Sequence, residues 1–211
     1  MPTFQNARTY LREVVRRYRE LLSYSDTGMS YRPHCRRDRL CTFETDYSRP
    51  ADFRFHFESP HPYRPLRHLT TQTTVGIRNA KPYFVTRYYQ GDGRAETPED
   101  LDLAIAGATG ISSGTAHTIA SLLFPEVSGF SLLDLRRIRF RRSRVVDGVR
   151  CVAVSGLHPY GGGRYTAWFG EQDFLLRRLL TSRFKAEENR TNIRTSHVIS
   201  EDRFAPPRVE A

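Results

Sequence analysis

Lysine is almost missing from this chain. Two of its 211 residues are Lys, Lys81 and Lys185, and the other 31 basic residues are Arg. Such a bias follows genome composition and by itself carries no chemistry. Cysteine is scarce too. Cys35, Cys41 and Cys151 include no Cys-x-x-Cys pair and no zinc-finger spacing, which excludes a Cys-based zinc motif. No apolar run approaches the roughly 18 residues that a membrane-spanning helix requires. Gly 14 and Pro 12 are near average usage, so the chain is neither collagenous nor low in complexity. The opening Met-Pro-Thr-Phe-Gln-Asn-Ala-Arg lacks the apolar stretch of about 7–15 residues that marks a signal peptide.

What is present supports a real core. The length predicts a single domain over residues 1–211, burying about 70% of its unfolded surface. Aromatic residues at 12% argue against disorder. The formal charge of +10 favours anionic partners: nucleic acid, an acidic protein or lipid headgroups.

The hydrophobic periodicity changes along the chain. Residues 3–22 place Phe4, Ala7, Leu11, Val14, Val15, Tyr18, Leu21 and Leu22 at helical spacing, with Thr3 as the expected N-cap. Beyond Tyr24 the period becomes two. Strands are predicted over 26–34 and 39–48, paired around the Cys35–Cys41 loop, which is compatible with a disulfide or with two separate thiols. Residues 52–58 alternate, with Phe53, Phe55 and Phe57 on one face. Further strands are expected over 66–78 and 82–90. Residues 98–124 break the pattern and predict two helices, the first capped by Thr97 and the second by Ser112 or Ser113. Strands then resume at 136–146, 149–156, 164–170, 174–184 and 190–200. This order predicts an α+β fold: a curved antiparallel sheet of about 10–11 strands wrapped over the helices.

Four features bear on chemistry. Gly110-Ile111-Ser112-Ser113-Gly114 matches the G-x-S-x-G pattern of serine esterases, with His158 and His197 downstream. A nucleophile elbow needs a strand before the serine, whereas Leu101 to Ala108 read as helix, so a helix–helix turn is expected. The seven histidines show no ligand spacing, so no metal site is expected and no cofactor is implied. Residues 136–144 place Arg137, Arg139 and Arg141 on one side of a regular strand and Ile138 and Phe140 on the other. Such a row either binds phosphates or is a solvated face. The aromatic rows point inward rather than beside the charge, so a nucleic-acid partner is not expected. Finally, the helices and the sheet offer more apolar faces than a simple layer needs. They either pack into a filled core or enclose a cavity suited to an acyl chain.

Several segments, in order, resemble the bacterial lipoprotein-carrier superfamily, the LolA/LolB-like lipoprotein-sorting proteins. They are Tyr18-Arg19-Glu20-Leu21-Leu22-Ser23-Tyr24, Arg49-Pro50-Ala51-Asp52-Phe53-Arg54, Phe84-Val85 running to Gly91-Asp92-Gly93, and Phe204-Ala205-Pro206-Pro207-Arg208-Val209. The resemblance implies an incomplete β-barrel with a helical lid, residues 98–124, over a hydrophobic cavity. It implies non-catalytic binding and transport of lipid or lipoprotein acyl chains, in the periplasm, by a monomer. By motif match it assigns Arg49 to holding the lid closed. The insert departs from the true carrier, which points to a relative rather than the carrier itself. The expected lining is Phe53, Phe55, Phe57, Tyr83, Val85, Leu101, Ile105, Ile119, Leu122, Leu123, Trp168 and Leu179. On this reading Phe55→Glu abolishes acyl binding without unfolding the protein. A basic module with a filled core, docking to a membrane surface or an acidic partner, is the alternative.

Overall fold

The computed structural model describes residues 4–31, 40–61, 64–66, 68–112, 114–161, 163–182 and 186–208. Cys35, Thr3 and Ser113 lie outside them, so the Cys35–Cys41 pairing and two of the expected caps do as well.

Helix α1 spans Ala7–Glu20. Its cap is Asn6, whose Oδ1 accepts the Thr9 N–H at 2.9 Å and so satisfies one of the orphan donors of the first turn. Tyr10, Leu11, Val14, Val15 and Tyr18 form its buried stripe. On the exposed side Glu13 accepts from Arg16 and Arg17, and those hydrogen bonds, Arg16 first, hold its carboxyl down at about 2.

Eleven strands follow: β1 Ser23–Tyr31, β2 Leu40–Ser48, β3 Asp52–Pro60, β4 Thr70–Arg78, β5 Lys81–Arg87, β6 Gly93–Glu96, β7 Arg136–Val146, β8 Val149–Leu157, β9 Arg164–Gly170, β10 Leu176–Thr181 and β11 Glu187–Thr195. They form one antiparallel sheet in the order β6-β5-β4-β3-β2-β1-β11-β10-β9-β8-β7. The sheet is open, with β6 and β7 at its edges, and β1 and β11 join its halves at the centre. Helices α2 (Leu101–Ser112) and α3 (Thr115–Leu123) form the insert. Asp100 rather than Thr97 caps α2, its Oδ1 accepting the Leu103 N–H at 2.8 Å. The α2 helix packs on β4 and β5, while α1 packs on α3 and β7. No described helix is long and apolar enough to cross a membrane.

Opposed residues of an antiparallel pair share a face, so the pairing settles which side of the sheet is inward. Phe53, Phe55 and Phe57 stand opposite Tyr47, Thr45 and Phe43 on β2 and opposite Ile77, Val75 and Thr73 on β4. Phe124 of the insert meets Phe53 and Tyr47 edge to face at 5.5 and 5.4 Å, so this face is the inner one. Phe84, opposite Val75, belongs to it. Tyr83 and Val85 do not. They stand opposite Gly76 and Thr74 on the outer face, and Gly76 has no room for a side chain, since a Cβ there would lie 2.6 Å from the Tyr83 hydroxyl. Trp168 is outward for the same reason: it opposes Ala153 and belongs to a small outer cluster with Val146 and Cys151, while Phe169 points in at Tyr10. A 3-10 turn, Glu201–Phe204, lies across the outer side of β3 and β4, with Arg203 paired to Asp46 at 2.8 Å and Phe204 buried.

Strand β7 is not regular. Its register slips between Arg136 and Arg139 and again between Arg141 and Arg144, and Arg137 adopts φ +51. The simple alternation of Arg137, Arg139 and Arg141 is therefore broken. Arg136, Arg139, Arg141 and Arg144 instead stand opposite Leu157, Ser155, Ala153 and Cys151, successive same-face positions of β8.

Candidate functional site

Under the insert, the core is filled. Leu101, Ile105, Ile119, Leu122 and Leu123 are buried, as are Phe53, Phe55 and Phe57, and Phe55 is stacked between Phe43 and Phe57 at 5.8 and 6.4 Å. Among the expected lining residues, Leu179 borders a well-formed open space. That space is a pocket of about 410 Å³ displaced toward the β9–β10–β11–β1 side of the sheet. Its walls are Ala106 and Thr109 of α2, Thr118 and Ser121 of α3, Phe130 and Leu132 of the following loop, Tyr165 of β9 and Leu179 of β10.

The loop is fastened to both helices. Asp102 accepts the Ser128 N–H at 2.8 Å and its hydroxyl at 2.6 Å. His117 Nε2 donates to the Ser128 carbonyl at 2.8 Å, and the next residue, Gly129, takes φ +98 in the space beside that ring. Phe130 then packs on His158 and Tyr165, with ring centroids 4.4 and 4.9 Å apart. These rings form the lip of the pocket.

At the pocket floor lies a buried charged cluster. Arg190 of β11 is fully buried, with Nη1 2.5 Å from Asp26 Oδ2 and Nε 2.5 Å from Glu188 Oε1. Its guanidinium also donates to the Thr115 carbonyl at 3.2 Å and lies 4.6 Å from the Phe43 ring centre. Gly28 stands opposite both Phe43 and Arg190, and the Phe43 ring occupies the place of its missing side chain. Burial opposes the charge on Arg190, but Asp26 and Glu188 outweigh it and keep the guanidinium protonated. Burial pushes the Glu188 carboxyl up against the pull of Arg190. Glu188 also accepts the Thr118 hydroxyl at 3.1 Å and reaches the pocket wall. The Tyr24 hydroxyl donates to Asp26 at 2.5 Å, and burial raises its value well above that of a free phenol. The cluster thus ties α3, through Thr115 and Thr118, to β1 and β11.

Arg49 does not hold the insert. Its Nε donates to the Leu21 carbonyl at 2.9 Å and its Nη2 to the Arg19 carbonyl, both at the C-terminus of α1. The tie between insert and sheet belongs to Arg190 and Glu188. The sequence signal for them was faint: two charged residues alternating on a strand whose neighbours are also polar.

Ser112 ends α2 and follows helix, not strand. It is buried, and its Oγ accepts the Ala116 N–H at 3.1 Å. That is the helix–helix turn expected from its flanks, not a nucleophile elbow. His197 lies by Ser25, Nε2 to Oγ 3.1 Å. Among the described residues no group of three His, Cys, Asp or Glu is placed to hold a metal ion.

No protein-family model matches the sequence, and no curated protein matches it in sequence. Solved structures do match in shape. The Mycobacterium tuberculosis lipoprotein LppX aligns over 97% of this chain and 98% of its own, at 9% identity and TM-score 0.50. LprF from Mycobacterium bovis aligns over 97% and 96%, at 15% identity and TM-score 0.47. A LolA superfamily protein from Nitrosomonas europaea aligns over 96% and 99%, at 7% identity and TM-score 0.35. With LppX this chain shares an open antiparallel sheet curled over helices, the fold implied by its resemblance to the lipoprotein-carrier superfamily.

Proposed function

We propose that this protein binds and carries a lipid or the acyl chain of a lipoprotein, without catalysis, in the pocket between the insert and β9–β10–β11–β1. The observation that carries the reading is the pocket itself. It measures about 410 Å³ and is open at one side, with Ala106, Leu132, Leu179, Phe130 and Tyr165 supplying apolar surface. Small-molecule sites commonly span about 300–1,000 Å³. Each methylene removed from water there contributes about 0.8 kcal/mol. The polar rim, with Asp102, His117 and His158, leaves a place for a headgroup at the mouth. An envelope location suits such a cargo, and a LolA-like shape supports the same reading.

Native mass spectrometry of gently purified protein, followed by solvent extraction, tests it. A co-purifying acyl species displaced by added fatty acid is expected. A clean apo mass that takes up no fatty acid would overturn it.

A further inference from the structure

We infer that the outer face of β7 is a docking surface for an anionic lipid bilayer. The strand carries six arginines and no acid in eleven residues, and all six are exposed. None of them forms an ion pair with a described residue. Elsewhere the chain pairs its arginines freely: Arg54 with Asp46, Arg178 with Glu187, Arg203 with Glu44 and Asp46. On β7, by contrast, six arginines without an ion pair fall within eleven residues at one edge of the sheet.

The two bulges give this edge its shape. They skip one residue each, so Arg136, Arg139, Arg141 and Arg144 fall on a single face, opposite alternate residues of β8. Alternate residues of a strand stand roughly 6.6 Å apart, which sets the four guanidinium groups in a file rather than a cluster. Arg164 of β9, opposite Leu157, continues the same face inward. Arg141 reflects the crowding: partial desolvation first, then Arg139 and Arg164, hold it below the ordinary guanidinium value. Edge protection accounts for bulges and for some charge. It does not call for four unpaired arginines brought into phase, because such a file repels itself unless something anionic lies against it.

The occupant is a bilayer rather than a nucleic acid. The residues opposite the file are Leu157, Ser155, Ala153 and Cys151, so no aromatic ring is offered for base stacking. Trp168, the nearest aromatic on that face, is buried and covered by Arg178, 5.4 Å from its ring centre. Phe140, opposite Val154, lies on the other face of the strand and packs edge to face on Tyr10 at 5.8 Å, so it adds no stacking platform to the file. Arg136 lies opposite Leu157, one residue before His158 on the pocket lip, so docking brings the mouth to the membrane. The surface does not depend on what the pocket holds.

Co-sedimentation with phosphatidylcholine vesicles, with and without phosphatidylglycerol, tests the surface. Binding is expected only with phosphatidylglycerol, and it is lost at about 1 M salt, where the screening length falls to about 3 Å. Each basic group near an anionic surface is worth roughly fivefold. Arg139→Gln with Arg141→Gln should therefore weaken binding roughly 25-fold. Arg12→Gln with Arg194→Gln, equally exposed and equal in charge change, should weaken it far less. Unchanged melting of both variants guards against unfolding. Equal losses in the two pairs, binding to phosphatidylcholine alone, or tighter binding to single-stranded RNA than to anionic vesicles would overturn the inference.

Discussion

Arg190 and Asp26 form an ion pair in which neither side chain is exposed to solvent, their closest atoms 2.5 Å apart. Removing one partner of such a pair leaves the other charge stranded. Arg190→Ala should therefore cost about 3–5 kcal/mol. Urea unfolding measures it, and a loss below about 1 kcal/mol would show that water reaches the cluster.

Phe55 sits in a filled core, not at a cavity wall, 5.8 Å from Phe43 and 6.4 Å from Phe57. Phe55→Glu, which the sequence alone suggested as a clean probe of ligand binding, should instead prevent folding. Phe55→Ala should lower stability by about 3–5 kcal/mol. Far-ultraviolet circular dichroism during thermal melting distinguishes the two.

The pocket can be filled from its helical side. Ala106 lines it and is exposed on α2, so a larger side chain there meets open space. Ala106→Trp should abolish uptake of a fluorescent fatty acid while changing stability by less than about 0.5 kcal/mol. Retained uptake would move the binding site elsewhere.

Arg49 caps α1 through the Leu21 and Arg19 carbonyls. Arg49→Ala should cost about 1 kcal/mol of stability. It should leave fatty-acid exchange rates unchanged, because no hydrogen bond or ion pair runs from Arg49 to a described residue of the insert. Faster exchange in that variant would restore it as a lid residue.

His56, on the outer face, bonds to Thr74 at 2.9 Å and to Glu58 at 3.3 Å. Burial first and Arg54 second lower its value, while Glu58 and Glu44 pull it back up. With the folded value depressed, the unfolded chain takes up a proton first, and stability falls as pH drops through the range below about 6.5. The melting temperature should therefore fall less on acidification in His56→Gln than in the parent. Parallel curves for the two proteins would place the pH dependence in other groups.

Much of the architecture was legible because periodicity is a local property. The alternation at 52–58 located β3 and its inward Phe53, Phe55 and Phe57, and the stripe from Ala7 to Tyr18 located α1. Helical residues before Gly110 identified a helix–helix turn at Ser112. Tyr83, Val85 and Trp168 were placed on the wrong face. They are large and apolar on strands buried from both sides, where hydrophobicity no longer reports direction, and only pairing with Gly76, Thr74 and Ala153 did so. The Arg49 role failed because a motif match transfers identity without the distance to its partner.

The sequence by itself determined the order of elements, the alternation within strands such as 52–58 and the run of arginine at 136–144, since each depends on neighbours within a few residues. Tertiary structure alone decided where the open space lies and which charges meet. Asp26 and Arg190 are 164 residues apart and share a floor only because β1 pairs with β11. The pocket exists because the helices of the insert fill one half of the curl and stop short of the other, a matter of volume that no local pattern encodes.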